Sequence, residues 1–199
     1  HLVPEGGAAA SASGSVARAL MLLERHHWNG HPSEVPLLRH QADWLMGWLL
    51  GNWHWGEEGN NLRLGWDQEQ QRWSEGIAAA AWNQALPVIS ASGSRLGTLS
   101  TEAASALGLP KTTEVVSGTT DSNASVLAAN PAPGDGVAVL GTTLVLKQFH
   151  SSPLHGPGIS NHRLAGRWLV GGASNTGAGV LRQFFSDTQL VELSRQIDP

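Results

Sequence analysis

The stretch from Val115 to Phe149, VVSGTTDSNASVLAANPAPGDGVAVLGTTLVLKQF, constrains this chain more than any other. It carries two copies of a Gly-Thr-Thr turn, Gly118-Thr119-Thr120 and Gly141-Thr142-Thr143; Asp121 follows the first, and β-rich runs flank the second. Val115 and Val116 read as the end of a buried strand, Gly118 permits a sharp turn, and Ser122 to Ala129 is small and apolar enough to start a helix. Asp121 therefore stands at a strand-to-helix corner. A carboxylate there either caps the helix by accepting its first N–H groups or projects from the sheet edge as a general base. The segment from Val137 to Lys147 reads as two strands joined by a tight turn. Its backbone N–H groups and Thr hydroxyls suit a phosphate, and an ordinary hairpin with a glycine turn fits the same residues. The pair suggests two phosphate-handling corners facing one cleft.

Composition narrows the function classes. A chain of 199 residues with 41% hydrophobic and 14% charged residues is globular in character, with room for one sizeable core or two small lobes. A net charge of -4 and scattered Lys and Arg give no basic field for nucleic acid, and no membrane span is visible. Cysteine is absent, which removes disulfides and thiolate metal sites and fits a reducing cytoplasm. There is no N-terminal secretory pattern. Nine Trp and no Tyr are present, five of the Trp between Trp44 and Trp66. They suit either sugar stacking or, for most of them, core packing. The chain starts at His1 without Met and stops at Pro199 after an amphipathic run, which reads as a piece of a larger protein.

Taken in order, residues 14–24 place Val16, Leu20 and Leu23 on one helical face, with Ser13 or Ser15 as the cap. His26, His27 and His31 sit in a Gly- and Pro-marked turn without the Cys or Glu that would complete a zinc pattern, so no metal site is expected. A second helix is expected over 37–50, with Ala42, Leu45, Met46 and Leu49 inward and Gly51 as its stop. The loop 52–63 holds Glu57, Glu58, Asn60 and Asn61. The two Asn amides suit polyol hydroxyls, or close turns on themselves; they are taken as structural. Residues 67–83 read as a helix burying Trp73, Ile77, Ala80 and Ala81; 86–89 as extended; 93–97 as a turn; and Ser100 or Thr101 as the cap of a short helix ending near Gly108. Pro131-Ala-Pro-Gly-Asp135 breaks the chain and marks a domain boundary. Beyond the hairpin come a loop over 151–161, a strand over 167–170, and a Gly-rich turn, 171–179, opening a helix over 180–185. Such a turn is a natural anion site, because N–H groups without partners and the helix dipole point at the ligand.

The string Gly118 to Thr143, GTTDSNASVLAANPAPGDGVAVLGTT, resembles the hinge segment of the FGGY carbohydrate kinases. There an Asp after a Gly-rich corner is the base, a helix and a Pro-Gly-Asp turn follow, and a Gly-Thr-Ser/Thr turn touches the ATP phosphates. Asn60-Asn61-Leu-Arg-Leu-Gly-Trp-Asp67 and Gly171-Gly-Ala-Ser-Asn-Thr-Gly177 also match, most closely the ribulose and xylulose kinase-like branch of cyanobacteria and plants, in a resemblance running from about Ser13 to about Phe185. It implies an α/β, ribonuclease H-like or actin-like two-lobe ATPase fold, truncated at both ends. Residues 1–132 would be the C-terminal part of the sugar-binding domain that carries the base, and 133–199 the N-terminal part of the nucleotide-binding domain. The implied reaction moves the terminal phosphoryl of ATP, as its Mg2+ complex, to a hydroxyl of a ketopentose such as D-ribulose or D-xylulose. Asp121 would be the base, Gly141, Thr142 and Thr143 would hold the phosphates, and Gly177, Ala178 and Gly179 would back the nucleotide.

The family's opening Asp-x-Gly-Thr turn and its later adenine segment have no counterpart in these residues, so the chain alone is expected to lack kinase activity. A non-catalytic sugar-binding or regulatory module and a gene fragment without function are the alternatives. A hydrolase is disfavoured, since no Ser, His and Asp set sits in a nucleophile turn. No residue pattern bears on oligomeric state.

Overall fold

A computed structural model of the chain describes residues 2–5, 9–26, 28 and 36–198. It divides into two compact units, His1–Ala124 with Arg163–Gly166, and Ser125–His162 with Arg167–Pro199. His27 and His31 of the histidine-rich turn lie outside the described residues.

The first unit opens with α1, Ser15–Arg25, which buries Val16, Ala19 and Leu23 at helical spacing. Gly14, not Ser13 or Ser15, takes the cap position and supplies no side-chain bond, and Leu20 faces outward. The buried stripe packs with Leu38, Leu64, Ile77, Trp82 and Ala85 into one core cluster. Next comes α2, Gln41–Leu50, stopped at Gly51 in the left-handed region at φ 72. Its inward face is Asp43, Met46 and Gly47, while Ala42 and Leu45 are exposed, so the helix is rotated from the expected apolar face. β1, Trp55–Glu57, and the single turn α3, Glu58–Asn61, occupy the expected loop.

The helix expected over 67–83 does not form. Strands β2, Trp66–Asp67, and β3, Arg72–Trp73, make a small hairpin in which the Trp66 and Trp73 rings meet edge to face at 5.4 Å. The Asp67 carboxylate accepts the N–H groups of Glu69 and Gln70, closing a turn where a helix would need those donors. Only α4, Glu75–Ala78, is helical, burying Ile77 completely.

β4, Val88–Ser90, pairs in parallel with β1. β5, Arg95–Thr98, extends where a turn was expected; then α5, Thr101–Leu107, starts at Ser100, whose side chain accepts Ala103 N–H at 3.0 Å. β6, Glu114–Val116, pairs antiparallel with β5. A second core cluster gathers Met46, Leu99, Ala103, Ala104 and Val115. The chain then turns into α6, Asp121–Ala128.

The second unit is built on a four-stranded sheet of order β7-β8-β10-β9, formed by β7, Gly136–Leu140, β8, Leu144–His150, β9, Ile159–Leu164, and β10, Arg167–Ser174. β10 runs through Gly171 and Gly172, because a side chain at Gly171 would collide with the Leu146 carbonyl of β8. A 3-10 turn, Ala178–Gln183, replaces the helix expected over 180–185. It leads to α7, Asp187–Ser194, which opens with a full capping box between Ser186 and Gln189.

Candidate active site

Asp121 begins α6 as its first helical residue, with its side chain exposed. Its Oδ1 accepts the N–H of Ser122 at 2.6 Å, and the Thr120 carbonyl accepts the N–H groups of Asn123 and Ala124. A carboxylate in a first helical turn is favoured by the helix dipole. The structure thus gives Asp121 both a local hydrogen bond and access to solvent. Part of its acceptor capacity is taken by Ser122, and the rest faces solvent.

The first unit also holds three buried acids, Glu57 and Glu58 from the expected loop and Asp43 from the expected second helix. Asp43, Glu57 and Glu58 are all at most 2% exposed. The Asp43 carboxylate accepts Glu57 N–H at 3.0 Å and the Asn61 amide at 2.8 Å; Glu57 accepts Gly59 N–H, Asn60 N–H and the Asn60 amide, each at 2.8 Å. Burial pushes the Glu57 carboxyl up to about 6, against the bonds from Gly59 and Asn60 that pull it down. Burial also raises Asp43, opposed chiefly by the bonds from Glu57 N–H and Asn61. Asn60 and Asn61 are therefore spent on this cluster, in line with the structural reading. The sequence signal for the cluster was present in the run Glu57-Glu58-Gly-Asn-Asn, but its partner Asp43 sits on a helix face that periodicity had turned outward.

In the second unit the other predicted residues come together. Gly141, Thr142 and Thr143 form the three-residue turn between β7 and β8. The Gly141 carbonyl accepts Ala178 N–H at 2.8 Å and the Thr142 carbonyl accepts Gly179 N–H at 3.3 Å. A Cβ at Gly177 would stand 2.5 Å from the Thr143 carbonyl carbon and 2.6 Å from the Leu144 nitrogen; one at Gly179 would stand 2.6 Å from the Thr142 methyl. Glycine at both positions lets the two turns close on each other. The N–H groups of Ala178 and Gly179, expected to face an anion, are instead bonded to the hairpin. Thr142 is exposed, and among the described residues no hydrogen bond is made by the N–H groups of Thr142 or Thr143.

No group of three or more His, Asp or Glu side chains suited to a metal ion occurs among the described residues, and no described helix is long and apolar enough to cross a membrane. No family model matches the chain. Solved structures do. A xylulose kinase from Rhodospirillum rubrum superposes with a TM-score of 0.71 at 21% identity, over 87% of this chain and 36% of that one. A gluconate kinase from Lactobacillus acidophilus gives 0.72 at 15% identity, over 91% and 38%. Plasmodium falciparum glycerol kinase, solved with ADP, gives 0.66 at 14% identity, over 92% and 40%. The chain spans well under half the length of these proteins. Over that span, mixed helix and strand in two units, it shares the fold of carbohydrate kinases.

Proposed function

We propose that this chain is the central part of an ATP-dependent carbohydrate kinase, with a ketopentose such as D-xylulose or D-ribulose as the acceptor. The observation that carries the reading is the clasp between residues 141–143 and 177–179. Two turns far apart in sequence are bonded into one backbone surface that leaves the Thr142 and Thr143 N–H groups and the Thr142 hydroxyl open to an anion. In this reading those groups hold the nucleotide phosphates, and Gly177, Ala178 and Gly179 support the nucleotide by fixing the turn's shape. Asp121, in the first unit, accepts the proton of the attacking sugar hydroxyl. ATP supplies the phosphoryl group and brings Mg2+ with it. The described residues offer no acidic cluster open to a metal, so no step is assigned to a protein-held ion. Positioning and charge stabilisation dominate phosphoryl transfer, which suits backbone donors on the nucleotide side.

Titration of the chain with Mg-ATP, followed by amide resonances, tests the nucleotide side. The Thr142 and Thr143 signals are expected to move, and Thr142→Ala to weaken the binding. Saturable nucleotide binding that leaves both amides unmoved would overturn the assignment, as would an absence of binding.

A further inference from the structure

We infer that Ser92 is a positioning residue for Asp121, holding the corner through the Gly118 carbonyl while the buried Glu58 holds Ser92 from behind. The inference rests on the reading of Asp121 as the base. Between β6 and α6 the chain runs through Ser117, Gly118, Thr119 and Thr120 without regular structure. Ser117 is fixed firmly to the turn 91–94. Its N–H reaches the Ser94 carbonyl and its carbonyl takes Gly93 N–H, both at 2.9 Å; its hydroxyl takes Ser94 N–H at 2.9 Å and donates to the Ala91 carbonyl at 2.6 Å. Among the described residues Gly118 is held by one bond, donated by the Ser92 hydroxyl to its carbonyl at 2.9 Å. Thr119 adds no anchor among the described residues, its buried hydroxyl having no partner there. Ser92 is therefore the last fixed point, coming from β6, before the Thr120 carbonyl that starts the helix.

The turn 91–94 does not need that hydroxyl for itself. The Ser94 N–H closes it on the Ala91 carbonyl at 3.1 Å, and the backbone of Gly93 and Ser94 engages Ser117. The hydroxyl of Ser92 is spent wholly on the approach to Asp121. On its other side, Ser92 N–H points at Glu58 Oε1 at 3.4 Å, and the Gln71 amide points at Oε2, also at 3.4 Å. A carboxylate 2% exposed needs such donors. The buried acid thus backs the corner that carries the exposed one.

The test uses the 199-residue chain with Ser92→Ala and Ser92→Thr. Amide exchange at Asn123 and Ala124, both bonded to the Thr120 carbonyl, is expected to accelerate roughly 3- to 10-fold in the Ala variant, the range that one net hydrogen bond supports. Exchange within β1 and β4 should stay constant. The carboxyl-carbon resonance of Asp121 at neutral pH should move in the Ala variant, and Thr, which keeps the hydroxyl, should restore both readouts. Unchanged exchange and an unmoved Asp121 carboxyl resonance in Ser92→Ala, or no recovery in Ser92→Thr, would overturn the inference. Neither readout needs turnover. A full enzyme indifferent to Asp121→Asn would sink the base assignment while leaving the tether intact, whereas an unmoved Ser92→Ala sinks the tether alone.

Discussion

At Glu57, burial, with the neighbouring Asp43 and Glu58, outweighs the backbone bonds from Gly59 and Asn60, and the sign of the consequence is definite. The carboxyl rises from 4.5 to about 6 in the folded chain, so the folded state holds its proton more tightly than the unfolded one. Its contribution to stability is fully present below about 4.5 and is lost as the pH rises through about 6. A shift of this size corresponds to about 2 kcal/mol. The burial-raised Asp43 acts in the same direction. Urea midpoints are therefore expected to fall between pH 4.5 and pH 7, and Glu57→Gln to flatten that fall. The variant should also be less stable at pH 5 by about 1–3 kcal/mol, because an amide nitrogen would face the donors Gly59 and Asn60. At Asp121 the expectation is kinetic: in the complete kinase, Asp121→Asn should lower kcat by about 10²- to 10⁴-fold with nucleotide affinity preserved. The candidate base was legible because a strand, a glycine corner and a small-residue helix stand in order around it. Ser92 was not legible, since a serine in a Gly-Ser turn gives no sign of which carbonyl it will reach.

Elements were legible where local chemistry and tertiary demand agree. The hairpin β7-β8 has apolar strands around a glycine turn, and α5 has Ser100 to cap it and Gly108 in the left-handed region at φ 66 to end it. Ser100→Ala is expected to cost about 1 kcal/mol of stability, readable by thermal or urea unfolding. Residues 67–83 misled because the helical spacing of Trp73, Ile77 and Ala80 is real, yet Asp67 captures the next N–H groups and Gln71 turns through φ 53. The face of α2 misled for another reason. Hydrophobic count favours Leu45, but the buried polar partners of Asp43 fix the rotation, and no single-helix pattern contains them. For the clasp, Gly177→Ala is the sharpest probe. A Cβ pressed on the backbone of Thr143 and Leu144 should open the two turns, seen as lost amide protection at Ala178 and Gly179 and weakened Mg-ATP binding.

On the scale of the whole molecule, the second unit is marked by apolar side chains facing water. β7 is an edge strand, with Leu140 69% and Val139 46% exposed, and Phe184 is 72% exposed. An apolar edge of this kind pairs readily with another chain. Concentration-dependent self-association is expected in sedimentation velocity, and Leu140→Lys should suppress it. The clasp has a further consequence for how the chain is made. Its Gly141 and Ala178 partners lie 37 residues apart (178 − 141). A ribosome adding about 5–20 residues per second delivers the second partner about 2–7 s after the first. During that interval the newborn hairpin carries its threonine tip unsupported, so the order of synthesis decides when the tip first acquires its final shape.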